Sequence, residues 1–440
     1  MCHIKHRAQP DGNPKAPWLF QRVRDEVRQI GVNMGFITGN RHAARRIQLD
    51  HRTESGYRKQ NRAIALDFAK FTFGGAKVAD PNSSLGIVAS RRPSIIHVAE
   101  SFASGTASAI GDFVRNYPEA QHHLVFSFRD EARLDIDELT YFTTKTELPA
   151  GTVARIRFLR RFLRDAHASC IVHAHSSMAG AYVRAAVRRT NGRPLVYTPH
   201  CYSFERLDVS WAVRQGFRLL EWLLSFNTSA YAACSPREAE LSRWPLSSPR
   251  VVTVPNVQPP GLPQTGRSAT DPTLRIVGNG RLGPQKDPRF FAEAFRAAAQ
   301  VHGGLEATWI GGGSDEDVDV LRSHGVDVTG WLPRSEALDV MAGCDLYLHT
   351  ASWEGFPISI MEAAGMGLPV VARRRAYLHG VDLPVMLDRP EDLVTAITAL
   401  RRDGGLAALR QQTATALAGN CDTQQQAALR ALYEPLTGRH

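Results

Sequence analysis

The sequence predicts an α/β protein made of two doubly wound parallel-sheet domains, preceded by a basic N-terminal extension. Three observations carry this. The chain has 440 residues, about three average domains of ~150, so two domains and a further piece are expected. From residue 94 onward short apolar runs alternate with helix-length segments, as parallel strands require, because each needs a crossover helix and is buried on both faces. A Pro/Gly-rich stretch at 255–263 breaks the alternation once and reads as a linker.

Residues 1–93 show no sustained period, and only 60–73 offers an amphipathic turn or two. The first series opens with the strand Ser94–Ala99, a small-residue loop from Glu100 to Ser108 and a helix. Apolar runs follow at 124–128, 170–174, 194–198, 229–233 and 251–254. A second series runs through Leu274–Val277, Ala307–Ile310, Val326–Val328, Leu346–His349 and Pro369–Ala372, and a last helix covers Gln424–Leu432. The expected division is an extension at 1–93, domains at 94–256 and 257–422, and a C-terminal helix within 423–440. Ligands of such sheets bind at the carboxyl ends of the strands, so the loops there are where chemistry is expected.

The net charge of +10 resembles a nucleic-acid signal until it is divided along the chain. Residues 1–93 hold 17 basic and 7 acidic side chains, and the remainder holds 36 of each. The body is electrically balanced, so no nucleic-acid partner is expected. The extension is expected to be a poorly structured or peripheral arm, with contact to an anionic membrane as its alternative use. Six scattered cysteines without a CxxC argue against a zinc site or a disulfide framework. No run reaches the ~18–20 apolar residues of a membrane span, and the first residues lack the pattern of a secretory signal. A cytoplasmic protein is the expectation, with peripheral association at the inner face of the membrane as the alternative. Trp211–Phe226 makes an apolar helix interrupted by Arg214 and Arg218; core packing is its expected role, and an interfacial helix is the alternative.

Gly278-Asn-Gly280-Arg-Leu-Gly283 has the form of a dinucleotide fingerprint after a strand. That reading requires a carboxylate at the end of the next strand, and Ala307–Ile310 ends instead in Gly311-Gly312-Gly313. Another constellation fits better. Glu354 lies in a loop and Glu362 in a helix that follows it, and Gly355, Phe356 and the helix start offer amides to an anion. Arg281 and Lys286 suit a diphosphate, one as a fork and one as a compact charge. The Gly311–Gly313 run permits close backbone approach to a ligand.

These motifs, GRLGPQKDP, WIGGG, VTGWLP and SWEGFPISIMEAAGMGLPVVA with its Glu-x7-Glu (Glu354, Glu362), resemble the retaining glycosyltransferases of family 4. The resemblance covers roughly 94–436 and implies the GT-B fold, two Rossmann-like domains facing across a cleft. Carried to this sequence, it implies that Arg281 and Lys286 bind the donor diphosphate and that Glu362 holds the ribose. It implies further that Glu354 contacts the transferred sugar beside Gly355 and Phe356, and that the loop at Trp331 and Leu332 receives the base. Gly311 and Gly312 would lie near the donor. His200 would reach the sugar from the first domain, and Gly105 would approach the diphosphate where relatives usually carry adjacent glycines. The implied substrates are a UDP- or GDP-linked sugar and a glycan or lipid-linked glycan, with no cofactor. A silent binding module and a GT-B nucleotide-sugar epimerase are the alternatives.

His173 and His175 share one face of a strand, but no third ligand is evident near them in sequence, so no metal is expected. The triplet Arg373-Arg374-Arg375 replaces a small loop common in the family and is read as a solvated face, or else as added phosphate affinity.

Overall fold

The computed structural model describes residues 92–127, 136–167, 169–188, 193–265 and 272–437. Residues 1–91 of the extension, with the 60–73 segment, lie outside the described residues. The first series runs β1 (Ser94–Ala99), α1 (Ser104–Arg115), β2 (Gln121–Phe126), α2 (Ile136–Thr140), β3 (Thr144–Glu147), α3 (Thr152–Asp165) and β4 (Ile171–His175). It continues with α4 (Ser177–Ala186), β5 (Leu195–Thr198), α5 (Trp211–Ser225), β6 (Ala230–Ala233), α6 (Pro236–Leu241) and β7 (Arg250–Thr253). Its seven strands lie in the order β3-β2-β1-β4-β5-β6-β7, all pairs parallel.

The second series runs β8 (Leu274–Asn279), α7 (Pro288–Val301), β9 (Leu305–Ile310), α8 (Asp315–Ser323), β10 (Asp327–Val328), α9 (Arg334–Ala342) and β11 (Leu346–His349). Then come α10 (Ile358–Gly365), β12 (Val370–Arg373), β13 (Met386–Leu387), α11 (Asp392–Leu400), α12 (Gly405–Ala416) and α13 (Asp422–Tyr433). Six strands form the parallel sheet β10-β9-β8-β11-β12-β13. The two doubly wound sheets are the ones the alternation predicts. The reading passes over β3 and β13, both short edge strands, β3 polar and β13 only two residues long.

Local chemistry sets the helix starts. Asp287 caps α7 by accepting from the Phe290 amide, Pro288 follows at its first turn, and Phe290, Phe291, Ala294, Phe295 and Ala298 line its buried face. Ser314 caps α8, and Asp315, Glu316 and Asp317 fill its first turn, where the helix dipole favours them. These carboxylates are thereby helix-start residues.

Core packing does not account for α5. Its large side chains Trp211 (72% exposed), Leu219, Leu220, Leu223 (52%) and Phe226 face outward, while Phe217 and Trp222 are partly buried. The inward face carries Glu221 instead, which pairs with buried Arg184 at 2.9 Å and accepts from the Tyr197 hydroxyl at 3.2 Å. The Arg184 guanidinium lies 4.0 Å over the Tyr197 ring. A buried ion pair occupies the place that leucines would otherwise take. No helix among the described residues is long and apolar enough to cross a membrane.

The last helix lies against the first sheet. Arg115 binds Asp422 through both of its terminal nitrogens at 2.8 and 3.0 Å, and Asn116 donates to Gln425 at 2.6 Å. Leu429, Leu432 and Tyr433 are buried with Phe113, Tyr117 and Ile171.

Candidate active site

At the switch point of the second sheet, β8 and β11 are neighbours whose chains leave in opposite directions, which opens a crevice at their carboxyl ends. Their two following loops are tied together. Thr350 donates to the Lys286 carbonyl at 2.9 Å, and the Ser352 amide donates to the Gln285 carbonyl at 2.7 Å. Gly280 sits at φ 127°, and a Cβ there would stand 2.6 Å from the Lys286 Cε. Only glycine permits both the turn and the lysine stem lying across it. Lys286 Nζ then meets Glu354 Oε1 at 2.7 Å. The family resemblance implies separate partners for this cation and this carboxylate; the structure pairs them.

Glu362 lies in α10 and is buried. Arg334, at the start of α9, reaches Glu362 Oε1 at 2.7 Å. Burial raises the Glu362 carboxyl above its ordinary value, and Arg334 and then Lys286 oppose that shift. His349, at the end of β11, is held well below its ordinary value by burial first and by Lys286 second.

The first domain meets this crevice at two places. A Cβ on Gly105 would touch Ile358 at 3.4 Å, so the starts of α1 and α10 face each other. Neither helix has a side-chain cap, so their first amides are available to an anion. At the second place Gly355 fits against the backbone after β5, where a Cβ would stand 2.7 Å from the His200 carbonyl carbon. His200 and Cys201 take positive φ values of 52° and 112°. Buried Glu238 holds this turn by accepting from the Cys201 amide at 2.9 Å and the Cys234 amide at 2.8 Å.

The remaining sequence candidates fall around this centre. Arg281 is exposed, with its guanidinium 5.9 Å from the centre of the half-exposed Trp331 ring. Leu332 is partly buried in the core beside α10. Phe356 is buried there too, and its carbonyl accepts from Asn256 at 2.8 Å. Gly311 and Gly312 serve close packing of the protein on itself. A Cβ would meet the Gly280 carbonyl oxygen from the first and the Trp331 Nε1, at 2.9 Å, from the second. The solvated-face and phosphate readings of Arg373 are both replaced by a structural one: it binds Asp287 at 2.5 Å and lies 4.0 Å over the Phe290 ring. Arg374 is exposed and pairs with Asp388.

Sequence reasoning missed Arg334 and Glu238. Arg334 directly follows the VTGWLP motif, and Glu238 stands three residues after Ser235 in the pattern of a capping box. It also missed the neighbours of His173 and His175. His97, on the adjacent strand β1, brings a third imidazole, and nitrogens of the three lie within 4.8 Å of one another. The premise that no third histidine is near is therefore corrected. The nitrogens are committed to hydrogen bonds: His173 to the Tyr433 hydroxyl and Thr198, each at 2.7 Å, and His97 to His175 and His122 at 3.0 and 2.9 Å.

Beside Glu354 and Trp353 an open cleft of about 800 Å³ runs between α5 and the segment after β12. Arg214, Arg237, Arg374 and Arg375 line it together with Glu205 and Tyr377.

Residues 272–403 match the family model described as glycosyl transferases group 1, and residues 104–257 match the glycosyl transferase 4-like domain. An uncharacterized 41.2 kDa protein of the cps region of Klebsiella pneumoniae is 25% identical over 304 residues, 65% of this chain and 82% of that protein. The Escherichia coli UDP-Gal:α-D-GlcNAc-diphosphoundecaprenol α-1,3-galactosyltransferase is 25% identical over 222 residues, 46% of this chain and 57% of the enzyme. Among solved structures, Anabaena HepE in complex with UDP-glucose superposes with a TM-score of 0.61 at 18% identity, over 78% of this chain and 99% of that one.

Proposed function

The chain belongs to the family-4-like glycosyltransferases of the GT-B fold, and from that premise we propose that it transfers a hexose from a nucleotide-sugar to a polysaccharide precursor or lipid-linked sugar, with retention at the anomeric carbon. The observation that carries the proposal is the pair of contacts Lys286–Glu354 and Arg334–Glu362, each 2.7 Å, set opposite the uncapped starts of α1 and α10. Such a site supplies fixed positive charge where a nucleoside diphosphate departs, and carboxylates for neutral sugar and ribose hydroxyls. Arg281 joins Lys286 on the diphosphate, Arg334 keeps Glu362 charged toward the ribose, and Trp331 offers a face to the base. Charge balance then comes from protein cations, so the reaction is proposed to be metal-independent.

The arginine-lined cleft beside Glu354 suits an acceptor that carries phosphate. The exposed apolar face of α5, with Arg214 at the cleft, suits a lipid-linked one whose tail stays in a membrane surface. The acceptor of the named E. coli relative, a diphosphoundecaprenol-linked sugar, supports this reading. Work at the cytoplasmic face of a membrane follows from it.

The test is a panel of UDP-, GDP- and ADP-sugars with nucleotide release followed with and without a diphosphate-linked glycan, and NMR of the product anomer. Acceptor-dependent release with retention is expected. Binding without release under any acceptor would favour a silent module, and interconversion of free sugar nucleotide would favour an epimerase. Loss of turnover in a chelator, restored by magnesium or manganese, would end the metal-independent reading.

A further inference from the structure

A line of imidazoles crosses the first sheet beneath the cleft. His122 Nε2 meets the Tyr117 carbonyl oxygen at 2.8 Å, and His122 Nδ1 meets His97 Nε2 at 2.9 Å. His97 Nδ1 meets His175 Nε2 at 3.0 Å, and His175 Nδ1 meets His200 Nε2 at 3.1 Å. The rings of His97 stack on those of both neighbours, with centroids 5.2 Å apart. His97, His122 and His175 are buried, and His200, at the turn beside Gly355, is half-buried.

The polarity of this line follows from counting hydrogens. Burial holds all four rings well below their ordinary pKa, His122 and His200 at about 4, so each carries one N–H near neutral pH. A carbonyl oxygen cannot donate, so His122 must be protonated on Nε2 and bare on Nδ1. His97 must then donate through Nε2, and the same step repeats at His175 and at His200. Every ring has its hydrogen on Nε2. At the last ring Nδ1 is left as a lone pair with no hydrogen-bond partner among the described residues.

We propose that His122, His97 and His175 are positioning residues that lock His200 in the Nε2–H tautomer, so that its Nδ1 accepts a hydrogen bond from a hydroxyl of the bound donor. The first half of this statement concerns the protein alone, and the second rests on the glycosyl-transfer reading above. Toward the ligand His200 therefore serves as an oriented acceptor, because its one N–H is engaged with His175. The selectivity that results is for a ligand that presents an O–H to this ring.

The experiment labels the histidines of the full chain with ¹⁵N and records two-bond ¹H–¹⁵N spectra near pH 7, assigning signals by single substitutions. The expected pattern is Nε2–H at all four rings. His97→Leu interrupts the line, and His200 should then lose its single tautomer while kcat falls by about tenfold, the worth of one net hydrogen bond. H97Q, whose amide can donate to His122 and accept from His175, should recover the Nε2–H signature and most of the turnover. A wild-type His200 protonated on Nδ1 or on both nitrogens would overturn the proposal, and this reading needs no variant to fold. An H97L enzyme with unchanged kcat would overturn it as well. So would a joint shift of the His97, His173 and His175 signals on adding one equivalent of Zn²⁺, which would mark a metal centre. If no donor is turned over by any form, the glycosyl-transfer reading fails, and the spectra still decide the tautomer line.

Discussion

The two sheets share one plan, but their central strands differ. At the switch point of the second sheet, β8 and β11 present Ile276, Val277, Leu346 and Leu348 to apolar cores, and the only histidine of the two strands, His349, stands at the carboxyl end of β11. At the switch point of the first sheet, β1 and β4 carry His97, His173 and His175 inside the sheet itself. The second domain has an apolar platform at its centre, under a charged rim. The first has polar structure running through its middle, and its stability and its chemistry are therefore harder to separate.

The comparison can be broken in four ways, taken from the largest effect down. Glu221→Ala leaves Arg184 charged and buried without its partner, which should cost about 3–5 kcal/mol in urea unfolding, and Arg184→Met/Glu221→Leu together should recover most of it. A neutral Glu221→Ala would show that the first domain tolerates an unpaired charge. Lys286→Ala, on the rim of the apolar platform, should lower kcat by roughly 10²–10³ with melting unchanged. A drop in stability of the same variant would mean that the rim is part of the second core.

Acid should separate the halves more gently. His97, His122, His123, His173, His175 and His200 in the first domain all have lowered pKa values, His122 and His123 at about 4, against His349 in the second. A lowered value means that the unfolded chain takes up the proton first. The contribution of these rings is complete above about pH 6.5 and is lost as pH falls toward 4, by roughly 1.4 kcal/mol per pH unit for each histidine. Asp112 runs the other way, because burial raises it to about 6. Amide protection in β1 and β4 should weaken before that in β8 and β11 across this window; simultaneous loss would make the two sheets one cooperative unit. The smallest effect is expected at Trp211→Ser/Leu223→Ser, within about 0.5 kcal/mol of the parent stability. The same variant should bind anionic vesicles less well than the parent, and equal binding would remove α5 from the membrane proposal.

What was legible in the sequence follows the same divide. Apolar runs of four to six residues located most strands of both sheets, because burial on two faces leaves its mark within one segment. The loops of the second domain were legible for a similar reason, since Gly280, Lys286, Glu354 and Glu362 lie in compact motifs. The histidine line was not, because it depends on register. His97 lies beside His173 only through the β1–β4 pairing, and one sequence carries no trace of which strands become neighbours. Helix α5 misled for a different reason: a row of leucines and tryptophans looks like core until Glu221 is known to face inward, and that is decided by Arg184, 37 residues earlier.

The contact between α13 and the first sheet has a consequence for the order of assembly. Tyr433 fills the space beside His173, and Asp422 ties down Arg115, yet both are made only after the whole second domain has been synthesised. During translation the first sheet emerges with one side of its histidine layer uncovered, and it waits for residues 257–421 to be added before the helix that closes that side is made. The earliest part of the body to be made is the last to be finished, so a ribosome-bound first half should be the stage at which chaperones find the most to hold.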